Sequence, residues 1–291
     1  MMEKNKNVPD DVFVNGEFSK QTVVYASKAG NDLKMDIITR KGEAKGKPCV
    51  IFMAGGGFTH IDRLRDIYIP YMTRLAEEGF IVATIDYRLG LKDKAPGAIH
   101  DLQLLENVIE AAVEDACDAT RYLLEHADKL MLDSHCIIIS GSSAGGMIAL
   151  SADWSKRNER KAASVLPSDF QYSGVIGFAG ALFSNCGLPK YEVAPAPTMM
   201  FHGTNDTAVF YKGKRLGNYV MLGSSNLVDL FALENYPYYI KRYKGKGHEV
   251  SVLPMQQDLD EVVWFIRKYI FGHKRYKVDV WFEDEAEEVQ W

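Results

Sequence analysis

Short apolar or β-branched runs alternate along this chain with longer stretches in which apolar residues recur every three or four positions. The first two runs, at 22–27 (TVVYAS) and 34–40 (KMDIITR), alternate apolar with polar, as half-exposed antiparallel strands do. Further runs follow at 48–54, 80–86, 136–140, 174–179, 197–202 and 238–243. Most of these are apolar almost throughout, the composition of strands covered on both faces. Between them the 3.6-residue period predicts helices at about 61–79, 105–131, 144–156 and 255–271. The succession predicts an α/β fold with a central, mostly parallel sheet of eight strands and helices on both faces. No internal repeat or low-complexity linker divides the chain, so one domain is expected over residues 22–271. Residues 1–21 would form an N-terminal extension and 272–291 an acidic C-terminal tail. The stretch 207–236 is longer than a simple crossover and is expected to carry an extra helix or loop near the site.

The composition, 47% hydrophobic and 25% charged over 291 residues, is that of an ordinary globular chain. The longest apolar run, Cys49 to Ala54, is six residues, far below the roughly 20 a membrane span needs, and no membrane partner is expected. Residues 1–20 hold no apolar core of a signal peptide, which leaves either a cytosolic protein or one exported with its leader removed. The net charge of −5, with acids gathered at Glu283, Asp284, Glu285, Glu287 and Glu288, argues against a nucleic-acid partner. Oligomeric state is left open. Cys49, Cys117, Cys136 and Cys186 show no ligand spacing; Cys49 and Cys136 open strand-like runs and read as small core residues. No metal-binding or phosphate-binding motif is present in the sequence, so no cofactor and no metal are expected.

Chemistry enters at Gly141-Ser142-Ser143-Ala144-Gly145-Gly146, directly after the run CIIIS and before the helical stretch MIALSADW. This is a G-x-S-x-G between strand and helix, where glycines allow a turn too tight for flanking β-carbons and the serine is left exposed at a helix N-terminus. A serine nucleophile needs a base, and the base needs an acid to hold its tautomer. Asp206 lies just past the run PTMMF, in HGTND, and His248 lies after YYIKRY in the glycine loop KGKGHE. Each falls where a strand would end, and among seven histidines only His248 follows the last of the eight runs in a glycine-flanked loop. Glu249 is the next carboxylate to consider. The catalytic set is therefore read as Ser143, Asp206 and His248. A hydrolase must also stabilise an oxyanion, and the glycine run Ala54-Gly55-Gly56-Gly57-Phe58 after CVIFM offers the amides of Gly56 and Gly57, joined by that of Ala144.

Taken in order, AGGGF at 54–58, DYRLG at 86–90, DACDATRYLLEHA at 115–127, GSSAGG at 141–146, HGTND at 202–206 and GHEV at 247–250 resemble the α/β-hydrolase superfamily over residues 22–271. Within it they resemble the esterase/lipase branch whose oxyanion motif reads HGGGF. Ala54 stands where that motif has histidine. The resemblance implies a serine esterase working through an acyl-enzyme, with Asp86 and Arg88 in a structural role. GSS at 223–225 and ENYPYYIKRYKGKGHEV look like bacterial carbohydrate esterases of the feruloyl and acetyl-xylan types, which implies small-molecule or polysaccharide ester substrates. The segment 180–196 is too short for a large lid, which suits soluble esters better than lipid. The aromatics of 207–239 (among them Phe210, Tyr211 and Tyr219) could line a substrate platform or fill the core, and core is favoured for most of them. An oligopeptidase-like hydrolase and a non-catalytic ligand-binding protein on the same fold are the alternatives.

Overall fold

The computed structural model describes residues 13, 16–28, 30–42, 45–95 and 97–283. In chain order the strands are β1 (Phe18–Lys28), β2 (Asn31–Arg40), β3 (Lys47–Met53), β4 (Ile81–Ile85), β5 (Leu132–Ser142), β6 (Gly174–Phe178), β7 (Ala181–Ser184), β8 (Thr198–Gly203), β9 (Lys214–Leu216), β10 (Tyr219–Gly223), β11 (Tyr238–Tyr243) and β12 (Lys277–Phe282). The α-helices are α1 (Ile69–Glu77), α2 (Leu102–Glu125), α3 (Ala127–Leu130), α4 (Ala144–Arg157), α5 (Ser224–Leu233), α6 (Pro254–Gln257) and α7 (Leu259–Phe265), the last continued by a π-helical turn to Phe271.

Nine strands form one sheet in the order β1-β2-β4-β3-β5-β6-β8-β11-β12. The pairs β1/β2 and β2/β4 are antiparallel and all others are parallel. All eight strand candidates lie in this sheet. The burial follows the predicted logic: β4, β6, β8 and β11 are buried at every position, because one core packs on each sheet face. One core takes Leu105 and Ile109 of α2 and Ile148 of α4 against Ile51 and Ile139; the other takes Tyr71 and Leu75 of α1 and Val262 and Phe265 of α7 against Phe52 and Ile138. Each such side chain contributes roughly 1.5–3 kcal/mol when fully buried.

The ninth strand corrects the expectation of eight. β12 lies in the stretch read as a tail, yet Val278, Val280 and Phe282 pack against the second core while Asp279 pairs with Arg242 of β11. Its alternation is short, and its partner strand lies more than 30 residues earlier, so only the assembled sheet edge selects it. Of the acidic cluster, Glu283 is described, bonded to Lys244, and 284–291 lie outside the described residues. The 207–236 stretch does carry extra structure: β9, β10 and α5, with β10 pairing β7 and β9 in a small antiparallel sheet. The first predicted helix starts late, α1 beginning only at Ile69 behind a 3₁₀ turn, with Pro70 in its first turn.

Candidate active site

β5 runs straight into α4 with one residue between them, Ser143, at φ 53° and ψ −116°. That conformation is costly for a side chain and persists because both neighbours enforce it. A β-carbon on Gly141 would lie 2.2 Å from backbone atoms of Gly145, and one on Gly145 would lie 2.0 Å from the Met53 carbonyl oxygen. The two glycines of the motif are thus required by close approach of three backbones. The turn is locked by the Ser143 amide donating to the Phe178 carbonyl at 2.8 Å and the Met147 amide donating to the Ser143 carbonyl at 2.9 Å. Ser142 is buried, and its hydroxyl donates to the Ser251 carbonyl at 2.8 Å, which separates the two serines: the Ser142 hydroxyl is tied to backbone, whereas that of Ser143 lies against His248.

The structure brings Ser143, His248 and Asp206 together. The Ser143 Oγ lies 2.8 Å from His248 Nε2, and His248 Nδ1 lies 2.7 Å from Asp206 Oδ2. His248 opens a short 3₁₀ turn past β11, and Asp206 sits three residues past β8. β8 and β11 are paired in register, Gly203 opposite Tyr243, so the two loops leave the sheet side by side. A β-carbon on Gly203 would come within 2.3 Å of the Gly247 carbonyl oxygen, so the loops touch at the backbone. Glu249 does not face the imidazole as an acid partner would; its carboxylate accepts the Gly247 amide at 2.9 Å.

Asp206 is buried at 5% exposure and its carboxylate is saturated. Oδ1 accepts the amides of Ala208 and Val209 at 2.9 and 3.0 Å; Oδ2 faces His248 and, at 3.3 Å, Nε2 of His202. Burial alone would raise its pKa, but the bonds from His202, His248 and the Val209 amide outweigh it and hold the carboxyl well below the usual range. His202 is a residue the sequence reading passed over. It is fully buried, with Nε2 2.9 Å from the Val209 carbonyl and Nδ1 2.7 Å from Ser224 Oγ. With carbonyl and carboxylate oxygens at Nε2, that nitrogen carries a proton and donates. Its position four before Asp206, at the buried end of a strand, was the available signal.

The glycine run follows β3. The Gly55 amide donates to Tyr68 Oη at 3.0 Å, while the amides of Gly56 and Gly57 donate to no acceptor among the described residues. Gly57 has φ 61°, and a β-carbon on Gly56 would meet the His60 carbonyl oxygen at 1.9 Å, so the loop needs both glycines. Ala144 is the first residue of α4, where the amide has no intrahelical partner. Gly56, Gly57 and Ala144 all line the same cavity of about 720 Å³ as Ser143 and His248. Where the motif's histidine is replaced, Ala54 offers only its carbonyl, which accepts Tyr87 Oη at 2.8 Å. Asp86 binds Arg63, and Arg88 binds Asp115 at 2.9 Å and Glu114 at 2.7 Å; both brace the segment after β4 and neither lines the cavity. Of the insertion's aromatics Phe210 and Tyr219 line the cavity, whereas Tyr211, Phe231, Tyr238 and Tyr239 are buried.

Among curated proteins the chain is similar to the non-reducing polyketide synthase ausA of Penicillium brasilianum (29% identity, 46% of this chain, 5% of that protein). It is also similar to esterase LipC of Mycobacterium tuberculosis (28%, 50% of this chain, 33% of that protein). A further similarity is to neutral cholesterol ester hydrolase 1 of Pongo abelii (34%, 38% of this chain, 24% of that protein). The chain therefore spans no more than a third of any of these three. Among solved structures it superposes on the thermophilic esterase Est2 of Thermogutta terrifontis in its butyrate-bound form. The TM-score is 0.65 at 20% identity, over 87% of this chain and 95% of that one, a likeness of fold. The BD-FAE family matches residues 35–110 and 103–182, which together make up just over half of the sequence and include the glycine loop and the serine turn. The chain belongs to the BD-FAE family and has the α/β-hydrolase fold.

Proposed function

We propose that this protein is a serine carboxylic-ester hydrolase acting on soluble, carbohydrate-linked esters of short or aromatic acids such as acetate and ferulate. The observation that carries the reading is the hydrogen-bonded series Ser143–His248–Asp206, opening on a cavity that also presents three free amides. His248 Nε2 takes the Ser143 proton as Oγ attacks the ester carbonyl; the amides of Gly56, Gly57 and Ala144 donate hydrogen bonds to the developing oxyanion. Asp206 keeps Nδ1 protonated and stabilises the imidazolium. Collapse gives the proton to the leaving alcohol and forms the acyl-enzyme, which water, deprotonated by His248, then cleaves to the acid and free Ser143.

Two features support the choice of substrate. The 180–196 segment holds only β7 and a loop, too short for a large helical lid, and contributes Phe183 to the cavity wall beside β9 and β10; a site without a large lid suits an alcohol attached to a long glycan. Est2, which shares the fold, is described with butyrate and with propionate bound, in keeping with short acyl groups. The test is hydrolysis of 4-nitrophenyl acetate and butyrate, methyl ferulate, acetylated xylan, emulsified triolein and a prolyl anilide. Acetate, butyrate or ferulate esters and the xylan should be cleaved. Ser143→Ala should lose several orders of magnitude in turnover while Ser142→Ala keeps a measurable rate. Preference for triolein with a jump above its solubility limit would overturn the carbohydrate-ester reading, and preference for the anilide the esterase reading.

A further inference from the structure

The cavity beside Ser143 has a one-signed lining. Its basic side chains are His60, Arg65, His100, Lys214 and His248, and among the described residues no Asp or Glu lines it. The chain as a whole carries 39 acidic against 34 basic residues, so the surface average would supply carboxylates. Asp62 and Asp66 flank Arg65 in the chain but do not line the cavity.

The two permanent cations are also uncommitted. Several guanidinium groups elsewhere are paired, Arg63 with Asp36 and Asp86, Arg88 with Asp115, Arg157 with Asp153, and Arg242 with Asp279, while among the described residues Arg215 and Arg275 bond only backbone carbonyls. Arg65 is exposed and forms no ion pair with any described residue. Lys214 likewise has no carboxylate partner among them and lies 5.2 Å from the Phe210 ring centre. They come from unrelated elements, Arg65 from the turn before α1 and Lys214 from β9, yet border the same space as the nucleophile. Much of the remaining lining is apolar, with Leu102, Leu105, Met147, Phe183 and Met221, which lowers the local dielectric and lengthens the reach of each charge.

Resting on the esterase reading above, we propose that the preferred ester bears a negatively charged group, such as a carboxylate, which Arg65 and Lys214 hold while Ser143 attacks. Arg65 presents a planar fork suited to a bidentate carboxylate, and Lys214 a movable point charge. Two substrate forms share this chemistry: a half-ester of a dicarboxylic acid, charged on the acyl side, and an acyl ester of a uronic acid, charged on the alcohol side.

The test compares matched pairs. Mono-(4-nitrophenyl) succinate is set against 4-nitrophenyl butyrate, and acetylated methyl glucuronoside against acetylated methyl glucoside, reading the ratio of kcat/KM within each pair. Using a ratio cancels any loss of folded enzyme. In wild type at low salt at least one ratio should exceed about tenfold, and it should fall several-fold in 0.5 M NaCl as screening sets in. Arg65→Gln and Lys214→Gln should each lower that ratio by about 3–30-fold, and Arg65→Glu should lower it further. Ratios at or below one in both pairs, or a ratio that Arg65→Gln with Lys214→Gln leaves unchanged, would overturn the proposal. Titration of Ser143→Ala with each intact ester reads binding without turnover. If no ester is hydrolysed but the charged members still bind at least tenfold more tightly, the esterase reading falls and the anion site stands; equal binding sinks the anion site.

Discussion

Replacing Asp206 by asparagine tests the relay at its most constrained atom. Four donors converge on this carboxylate: the amides of Ala208 and Val209 at 2.9 and 3.0 Å on Oδ1, with His248 Nδ1 at 2.7 Å and His202 Nε2 at 3.3 Å on Oδ2. Asparagine supplies one oxygen and one NH₂. The oxygen must stay with the two backbone amides, because those donors are fixed and the opposite orientation would set the NH₂ against both of them, whereas an imidazole can move its proton to the other ring nitrogen. The NH₂ then faces two imidazole nitrogens that were themselves donating. His248 adapts by moving its proton to Nε2, where it points at Ser143 Oγ from 2.8 Å and can no longer accept the serine's proton. The same carboxylate-to-amide change in a Ser-His-Asp triad lowers turnover about 10⁴-fold, or about 5.4 kcal/mol at 1.36 kcal/mol per tenfold. Loss of charge-assisted bonds should also cost about 1.5–3 kcal/mol of stability. The assay is kcat and KM on 4-nitrophenyl acetate, with a thermal melt to verify folding. A folded Asp206→Asn enzyme turning over within about tenfold of wild type would refute the reasoning and move the acid's role to another carboxylate.

Asp206 also sets a pH dependence: its folded pKa is depressed, so its contribution to stability is complete above the unfolded value near 3.9 and is lost as pH falls through the folded one. Urea unfolding between pH 6 and pH 2 should therefore show a steeper loss in wild type than in Asp206→Asn, and parallel curves would contradict this. Gly145→Ala places a methyl 2.0 Å from the Met53 carbonyl oxygen, and should both abolish the elbow and destabilise the fold by at least about 1–3 kcal/mol, read from the urea midpoint. Cys49, Cys117 and Cys136 are buried, and burial pushes the Cys117 thiol up to about 12 and the Cys136 thiol up to about 11. A disulfide reagent should titrate one thiol, Cys186, in the native protein and all four in denaturant; fast reaction of more than one native thiol would contradict the packing.

The order of elements and the chemical triad were legible in the chain because each depends on short-range patterns. Apolar runs such as PCVIFMA can only be covered on both faces, and Gly141 and Gly145 mark a turn that other residues cannot make. Asp206 and His248 were legible because each follows a strand signal by a few residues, and parallel neighbours deliver such loops to one edge. Three things were decided only by the assembled molecule. β12 pairs with a strand over 30 residues earlier, and its half-apolar alternation has no force until that edge exists. His202 reads as one more strand-end histidine until Asp206, Val209 and Ser224 close around it; its partners at 206 and 209 come from the following loop, but Ser224 is 22 residues away. The basic lining gathers Arg65, His100 and Lys214 from segments scattered over about 150 residues, while no described acid lines the same space. Local sequence fixes what each segment can become, while contacts between distant segments, each repaying the entropy of closing a long loop, determine which charges and donors finally share a site.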